Sequence, residues 1–306
     1  MEQFSVSNLV DYRWIRDREN FDDLKNFLAH NLASSSFREN SPTPNFSRMS
    51  QDQAKAVLIH DSALELYSAA DEMAEDIQAS EIKQILESNI TEETGRLGRQ
   101  FRDFEDSGIS REHVKSGKIY GRKVDDVLNS IADFYAESLP LEDFEILHIE
   151  DELSNNSFTG RADLVRRLDG ITELRDVKTH YTNERPIFPV DDYKISAYAL
   201  LAHGEDLEID RVVLEYPVQG QQYEVEPENW LAYIASDASE LEALLEDTRR
   251  LQADKLEEVY GRPHLHSDRE YVEALDAAVH GEKKEYARRA AEEVIAENFP
   301  EASSRS

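Results

Sequence analysis

The stretch GRADLVRRLDGITELRDVKT, residues 160–179, decides how this chain is read. Asp169-Gly170 lies between two runs of strand-forming residues. An Asp-Gly pair in that setting specifies a two-residue type I′ hairpin turn, because both central residues need positive φ. With those two residues as the loop, Leu168 faces Ile171, and counting back pairs Arg166 with Glu173, Val165 with Leu174, Asp163 with Asp176 and Arg161 with Lys178. The Asp163 and Asp176 Cβ atoms then lie about 4.5–5.5 Å apart on one face. Strand alternation puts Lys178 on that face too and turns Val177 the other way, into packing.

Two carboxylates directly opposed destabilise a strand pair unless something offsets them. A divalent cation does so, since Mg²⁺ takes carboxylate oxygens at about 2.0–2.1 Å. Register alone therefore predicts a metal site at Asp163 and Asp176 with the Lys178 ammonium beside it. A bulge or a longer turn would break the coincidence. Solvent-facing Asp, Arg and Lys on a half-exposed hairpin are the plainer alternative.

Working outward, FEILHIE (144–150) precedes the hairpin as a further strand. DDYKISAYALLAHG (191–204) follows it as a helix, with Asp191 or Asp192 at its cap and Gly204 at its end. IDRVVLEYPV (209–218) and QQYEVEP (221–227) read as two more strands joined around Gly220. Residues 1–30 are expected to be helical with an N-cap at Ser5 or Ser7, 34–50 form a Ser/Pro/Asn-rich loop, and 51–139 are mostly helical. Residues 228–297 return to acidic amphipathic helix. The expected divisions are a mostly helical N-terminal region (1–140), a sheet-bearing core (141–227) and a helical C-terminal region packed on that core (228–306). The class is α/β, a mixed sheet with helices around it.

A formal charge of −31, from 65 acidic residues against 11 Lys and 23 Arg, is spread along the whole chain. Scarce Lys and abundant Asp and Glu suit a salt-loving archaeon or its virus, where molar salt cuts the Debye length to roughly 3 Å, with an ordinary acidic mesophilic protein as the plainer alternative. At low salt such a surface repels polyanions, yet metal ions and a local cluster of cations can govern a cleft. With no cysteine, the chain can form neither disulfides nor thiolate-held zinc or iron–sulfur centres. No segment has the apolar length to span a bilayer, and MEQFSVSNLVDYRW lacks a signal pattern, so a cytoplasmic protein without membrane contact is expected.

The runs TGRADLV, ELRDVKTH and DDYKISAYALL, in that order, resemble the RecB-like branch of the PD-(D/E)XK nuclease superfamily. That branch carries Gly-x-x-Asp, then Asp/Glu-x-Lys on the next strand, then Gln-x-x-x-Tyr on a following helix. Gly160 and Asp163 match the first element, Asp176 and Lys178 the second, and Tyr198 the third, with Lys194 standing where Gln is usual. The resemblance covers roughly residues 144–220. It implies a restriction-endonuclease-like mixed β-sheet core and metal-dependent hydrolysis of DNA to a 5′-phosphate and a 3′-hydroxyl. Asp163 and Asp176, with the Val177 carbonyl, would bind one or two Mg²⁺ or Mn²⁺ ions, and Lys178 would orient or deprotonate the attacking water.

Glu150, or less favourably Glu152, would complete the metal shell, as the acidic residue preceding the Gly-x-x-Asp strand; a solvated strand end is the alternative. Lys194 would contact phosphate or stand exposed near Asp191. Tyr198 would touch substrate or fill the core, and Arg161 would hold phosphate or pair with a neighbouring acid. His180 could approach the cleft or lie exposed at the strand end. The branch also places a His four residues after a Gly on an upstream helix. Gly121 with Asp125 is the expected counterpart, either a metal ligand or a surface helix residue. The Lys194 substitution and the missing His leave open a catalytically inactive nuclease fold used as a DNA- or protein-binding module. Such an activity on DNA would serve repair, recombination, virus replication or defence, alone or with a helicase or recombination partner.

Overall fold

A computed structural model describes residues 4–18, 21–34, 51–70, 73, 77–91, 117–119, 121–139, 144–155, 157–179, 189–260 and 283–299. His180 and most of the Ser/Pro/Asn-rich loop lie outside them. The described part is mixed α/β, and none of its helices is long and apolar enough to cross a membrane.

The chain divides into two compact units, residues 42–155 with 159–231 and residues 1–41 with 156–158 and 232–306. The division expected at residue 140 therefore falls inside the first of these. The physical reason is one shared core. Leu58, Leu64 and Tyr67 of helix α3 (Gln51–Ala69), Ile82 and Leu86 of α4 (Ala79–Thr91), and Val127, Ile131 and Tyr135 of α5 (Val124–Ser138) pack in one buried cluster with Leu164 and Val177 of the sheet. The helices of region 51–139 are thus part of the sheet-bearing unit.

The described residues include the two-residue strands β1 (Phe4–Ser5), β2 (Lys118–Ile119) and β3 (Arg122–Lys123), and in that unit they form a five-stranded sheet in the order β10-β9-β8-β7-β4, with β4 at Phe144–Ile149, β7 at Leu164–Leu168, β8 at Ile171–Val177, β9 at Arg211–Tyr216 and β10 at Gln221–Val225. The hairpin forms in the expected register, Leu168 opposite Ile171 and Leu164 opposite Arg175. Asp169 and Gly170 have φ of 51° and 81°, as a type I′ turn requires. β8 then pairs parallel to β9, and the crossover between them contains helix α6 (Pro189–Gly204). Asp191 and Asp192 lie inside the first turn of α6, not at its cap, because the helix begins at Pro189, a residue suited to a first helical position.

Alternation along β8 sorts its side chains. Glu173, Arg175 and Val177 face α3 and α5. Arg175 pairs with Glu215, which also accepts hydrogen bonds from Tyr67 (2.6 Å) and Tyr135 (3.0 Å), and Glu173 binds Arg166 and Arg175. Asp176 and Leu174 point to the other face, where Lys194 of α6 approaches Asp176.

In the other unit, Ser5 caps helix α1 (Val6–Asp17) with a reciprocal capping box to Asn8. Phe21 of α2 (Phe21–Ser34) packs against Phe299, which directly follows the helix Lys283–Asn298.

Candidate metal centre

The ladder between β7 and β8 stops at Leu164 and Arg175, one pair short of the acidic residues. At Asp163 the backbone bends out of the strand. Its side chain takes over the work of the ladder, with Oδ2 accepting the Val177 N–H at 2.7 Å. The Asp163 carboxylate is thereby held one residue from Asp176. Arg161, counted opposite Lys178, lies instead in a separate strand, β6 (Phe158–Arg161), and pairs across to Glu152 of β5 (Glu152–Ser154). The hairpin count fails there because the bend at Ala162–Asp163 sends the chain into a different ladder.

Asp176 is buried to 1% exposure, and neither of its oxygens receives a hydrogen bond of good geometry. What faces it is cationic. Lys178 Nζ pairs with Oδ2, and Lys194 Nζ lies 3.6 Å from Oδ1. Lys178 also stands 3.6 Å from Asp191 Oδ1. Val177 points the other way and is buried in the core, as alternation requires. Tyr198 is a buried aromatic whose ring lies beneath Lys194, Nζ to centroid 5.4 Å. Burial, then the charges of Asp176 and Asp163, raise its phenol far above the usual range. The Asp176 charge foremost, with that of Asp163, keeps Lys194 firmly protonated against its burial.

No family model matches the chain, and no curated protein matches its sequence.

One residue that sequence reasoning passed over joins this site. His60, on α3, places Nε2 3.1 Å from Asp163 Oδ2 and Nδ1 3.3 Å from Asp61 Oδ1. Burial opposes charging of the ring, but the Asp163 carboxylate and then Asp61 push it up to about 10. For Asp163, burial is outweighed by His60, Lys194 and Lys178, and its carboxyl is held well below the ordinary range. The signal was present in AKAVLIH: His60 follows Ala56 by four residues, a small residue where the resemblance has Gly.

Asp125, proposed in that role, lies exposed in the first turn of α5. Its carboxylate binds Lys83 and Asn129, not Asp163 or Asp176. Glu150 follows a bulge in β4 between Ile146 and His148, adopts φ 49°, and donates its N–H to the Asp163 carbonyl at 3.0 Å. It offers a ligand atom within 4.8 Å of those of His60 and Asp61, whereas exposed Glu152 belongs to the β5–β6 ladder.

Two neighbouring carboxylates, one of them buried with neither oxygen in a hydrogen bond of good geometry, and nearby imidazole and carboxylate donors suit a divalent cation in the chemistry of their donor atoms.

Proposed function

We propose that this chain is a Mg²⁺- or Mn²⁺-dependent nuclease that hydrolyses DNA phosphodiester bonds, built on a restriction-endonuclease-like core of the RecB-like PD-(D/E)XK kind. The observation that carries this reading is the convergence of Asp163, Asp176, Lys178 and Lys194 at one end of a five-stranded mixed sheet, with His60 bound to Asp163. The antiparallel hairpin, crossover helix and parallel strand agree with the mixed core that the sequence resemblance implies. A histidine reaching Asp163 from an upstream helix lessens one of the two departures that favoured a binding-only module.

Asp163, Asp176 and the Val177 carbonyl would hold the ion. Once bound, it supplies polarisation of the scissile phosphate and a more acidic water. Asp163 is kept ionised and in place by His60 and the Val177 N–H, so it enters the reaction already positioned. Lys178 orients the attacking water and offsets the charge that develops on the phosphoryl oxygens. Lys194, in place of the usual Gln, is set to take a non-bridging phosphate oxygen, which a point charge does well. Lys178 and Lys194 put two ammonium groups among the carboxylates of the site, although the whole chain is acidic.

The test is incubation with single- and double-stranded DNA in molar KCl with Mn²⁺ or Mg²⁺, analysing the ends produced. Cleavage leaving 5′-phosphates, stopped by chelation, supports the proposal. Inertness towards both substrates with both ions refutes it.

A further inference from the structure

We infer that Asp191, in the first turn of α6, is a positioning residue that holds the Lys178 ammonium at the site while Asp176 serves a cation. This rests on the cation position of the nuclease reading, but not on DNA being the substrate.

The first observation is a conflict of partners. Lys178 Nζ pairs with Asp176 Oδ2, and Lys194 Nζ lies 3.6 Å from Asp176 Oδ1. With a divalent ion on Asp176, the Lys178 ammonium loses much of that attraction and meets repulsion from the ion. The Lys178 side chain is only 11% exposed. An ammonium turned from Asp176 with no other acceptor would stay buried and unpaired, which is costly.

The second observation is that another acceptor is in place. Asp191 Oδ1 stands 3.6 Å from Lys178 Nζ and comes from the crossover helix, not from the hairpin. Asp191 is buried, and its Oδ2 accepts a hydrogen bond from the Tyr216 hydroxyl of β9 at 2.9 Å. Tyr216 is fully buried, with its ring edge-on to Tyr223 at 5.8 Å. Burial and then the Asp191 charge raise that phenol far above the usual range, so it stays a donor. One Asp191 oxygen is thus fixed by β9 while the other faces the ammonium.

The third observation ties anchor and lysine to one piece of backbone. The Lys178 N–H donates to the Glu215 carbonyl at 2.8 Å, one residue before Tyr216. The same end of β9 therefore fixes the lysine backbone and, through Tyr216, the carboxylate its side chain reaches. Lys178 can yield Asp176 to a cation by a change of partner, with no movement of the strand, and its ammonium stays beside the ion, where an attacking water is oriented.

The experiment is a double-mutant cycle on Mn²⁺ affinity. It uses the full chain in molar KCl, which screens the acidic surface, and reads the free-ion electron paramagnetic resonance signal, with circular dichroism checking each fold. Asp191→Asn should weaken Mn²⁺ binding about tenfold or more, because Lys178 then has only Asp176 to pair with and competes with the ion. In a Lys178→Met background the same substitution should change the affinity by less than about twofold. If Asp191→Asn proves unfolded, Tyr216→Phe takes its place in the cycle, with a loss of about threefold expected only while Lys178 is present. An equal loss in both backgrounds, which a direct ligand or a merely structural residue would give, overturns the inference. So does wild-type affinity in the folded Asp191→Asn chain, or a wild type that binds no Mn²⁺. Binding without coupling leaves the nuclease reading standing, and coupling in a chain that cleaves no DNA removes that reading and leaves Asp191 in its role.

Discussion

His60 Nε2 lies 3.1 Å from Asp163 Oδ2, and that contact joins an upstream helix to the bend that leads into the hairpin. The pair is half-buried, and each partner shifts the other's proton affinity, upward for the imidazole and downward for the carboxyl.

This coupling makes the metal-free protein sensitive to alkali. The folded imidazole titrates at about 10, against 6.5 for an unperturbed one. Its contribution is fully present below about pH 6.5 and is lost as pH rises through about 10. Thermal melts in molar KCl with chelator should show stability falling over that window, by on the order of 2 kcal/mol after allowance for partial exposure of the ring. His60→Gln should flatten the profile. A wild-type melting temperature level from pH 7 to 10 would count against the pair.

The ion network on the other face of β8 is structural. Glu215 is fully buried and takes Arg175, Tyr67 and Tyr135. Glu215→Ala leaves the Arg175 guanidinium buried with only part of its compensation, and should cost about 3–5 kcal/mol in denaturant unfolding. A loss under about 1 kcal/mol would mean the network relaxes into water.

Leu164 is fully buried where the helices meet the hairpin. Leu164→Ala is expected to destabilise the chain by about 2–5 kcal/mol through lost transfer energy and the cavity left behind. It also loosens the residue next to Asp163, so cleavage should fall at temperatures where the variant is still folded. Chemical denaturation and activity measured side by side check both parts.

Asp125 offers a contrast. Exposed and paired with Lys83, it should be dispensable: Asp125→Ala should cleave DNA at the wild-type rate, within about a factor of two, since surface changes of this kind seldom matter. A large loss of activity would return Asp125 to the metal shell.

Much of this site was legible because local chemistry specified it. Asp169-Gly170 set the turn, the turn set the register, and alternation put Lys178 with Asp176 and Val177 in the core. The reading failed where distant parts of the chain decide. The bend at Asp163 follows from a side chain replacing a ladder bond, so the count to Arg161 ran one strand too far. His60 was hidden on an apolar helix more than a hundred residues upstream, and only tertiary packing brings it to Asp163. Gly121 puts Asp125 at the spacing of the resemblance, yet Ala56 stands at the same spacing before the histidine that reaches Asp163. Glu150 was favoured over Glu152 by resemblance, and a bulge with a left-handed residue is what brings it to the ligand group.

The most direct measurement compares wild type and Lys178→Ala for single-turnover DNA cleavage in molar KCl with saturating Mn²⁺, with circular dichroism confirming the fold. The account predicts wild-type cleavage to 5′-phosphate ends and a rate at least about 100-fold lower in the variant, with Mn²⁺ still bound. Undiminished cleavage by a folded Lys178→Ala protein would contradict it.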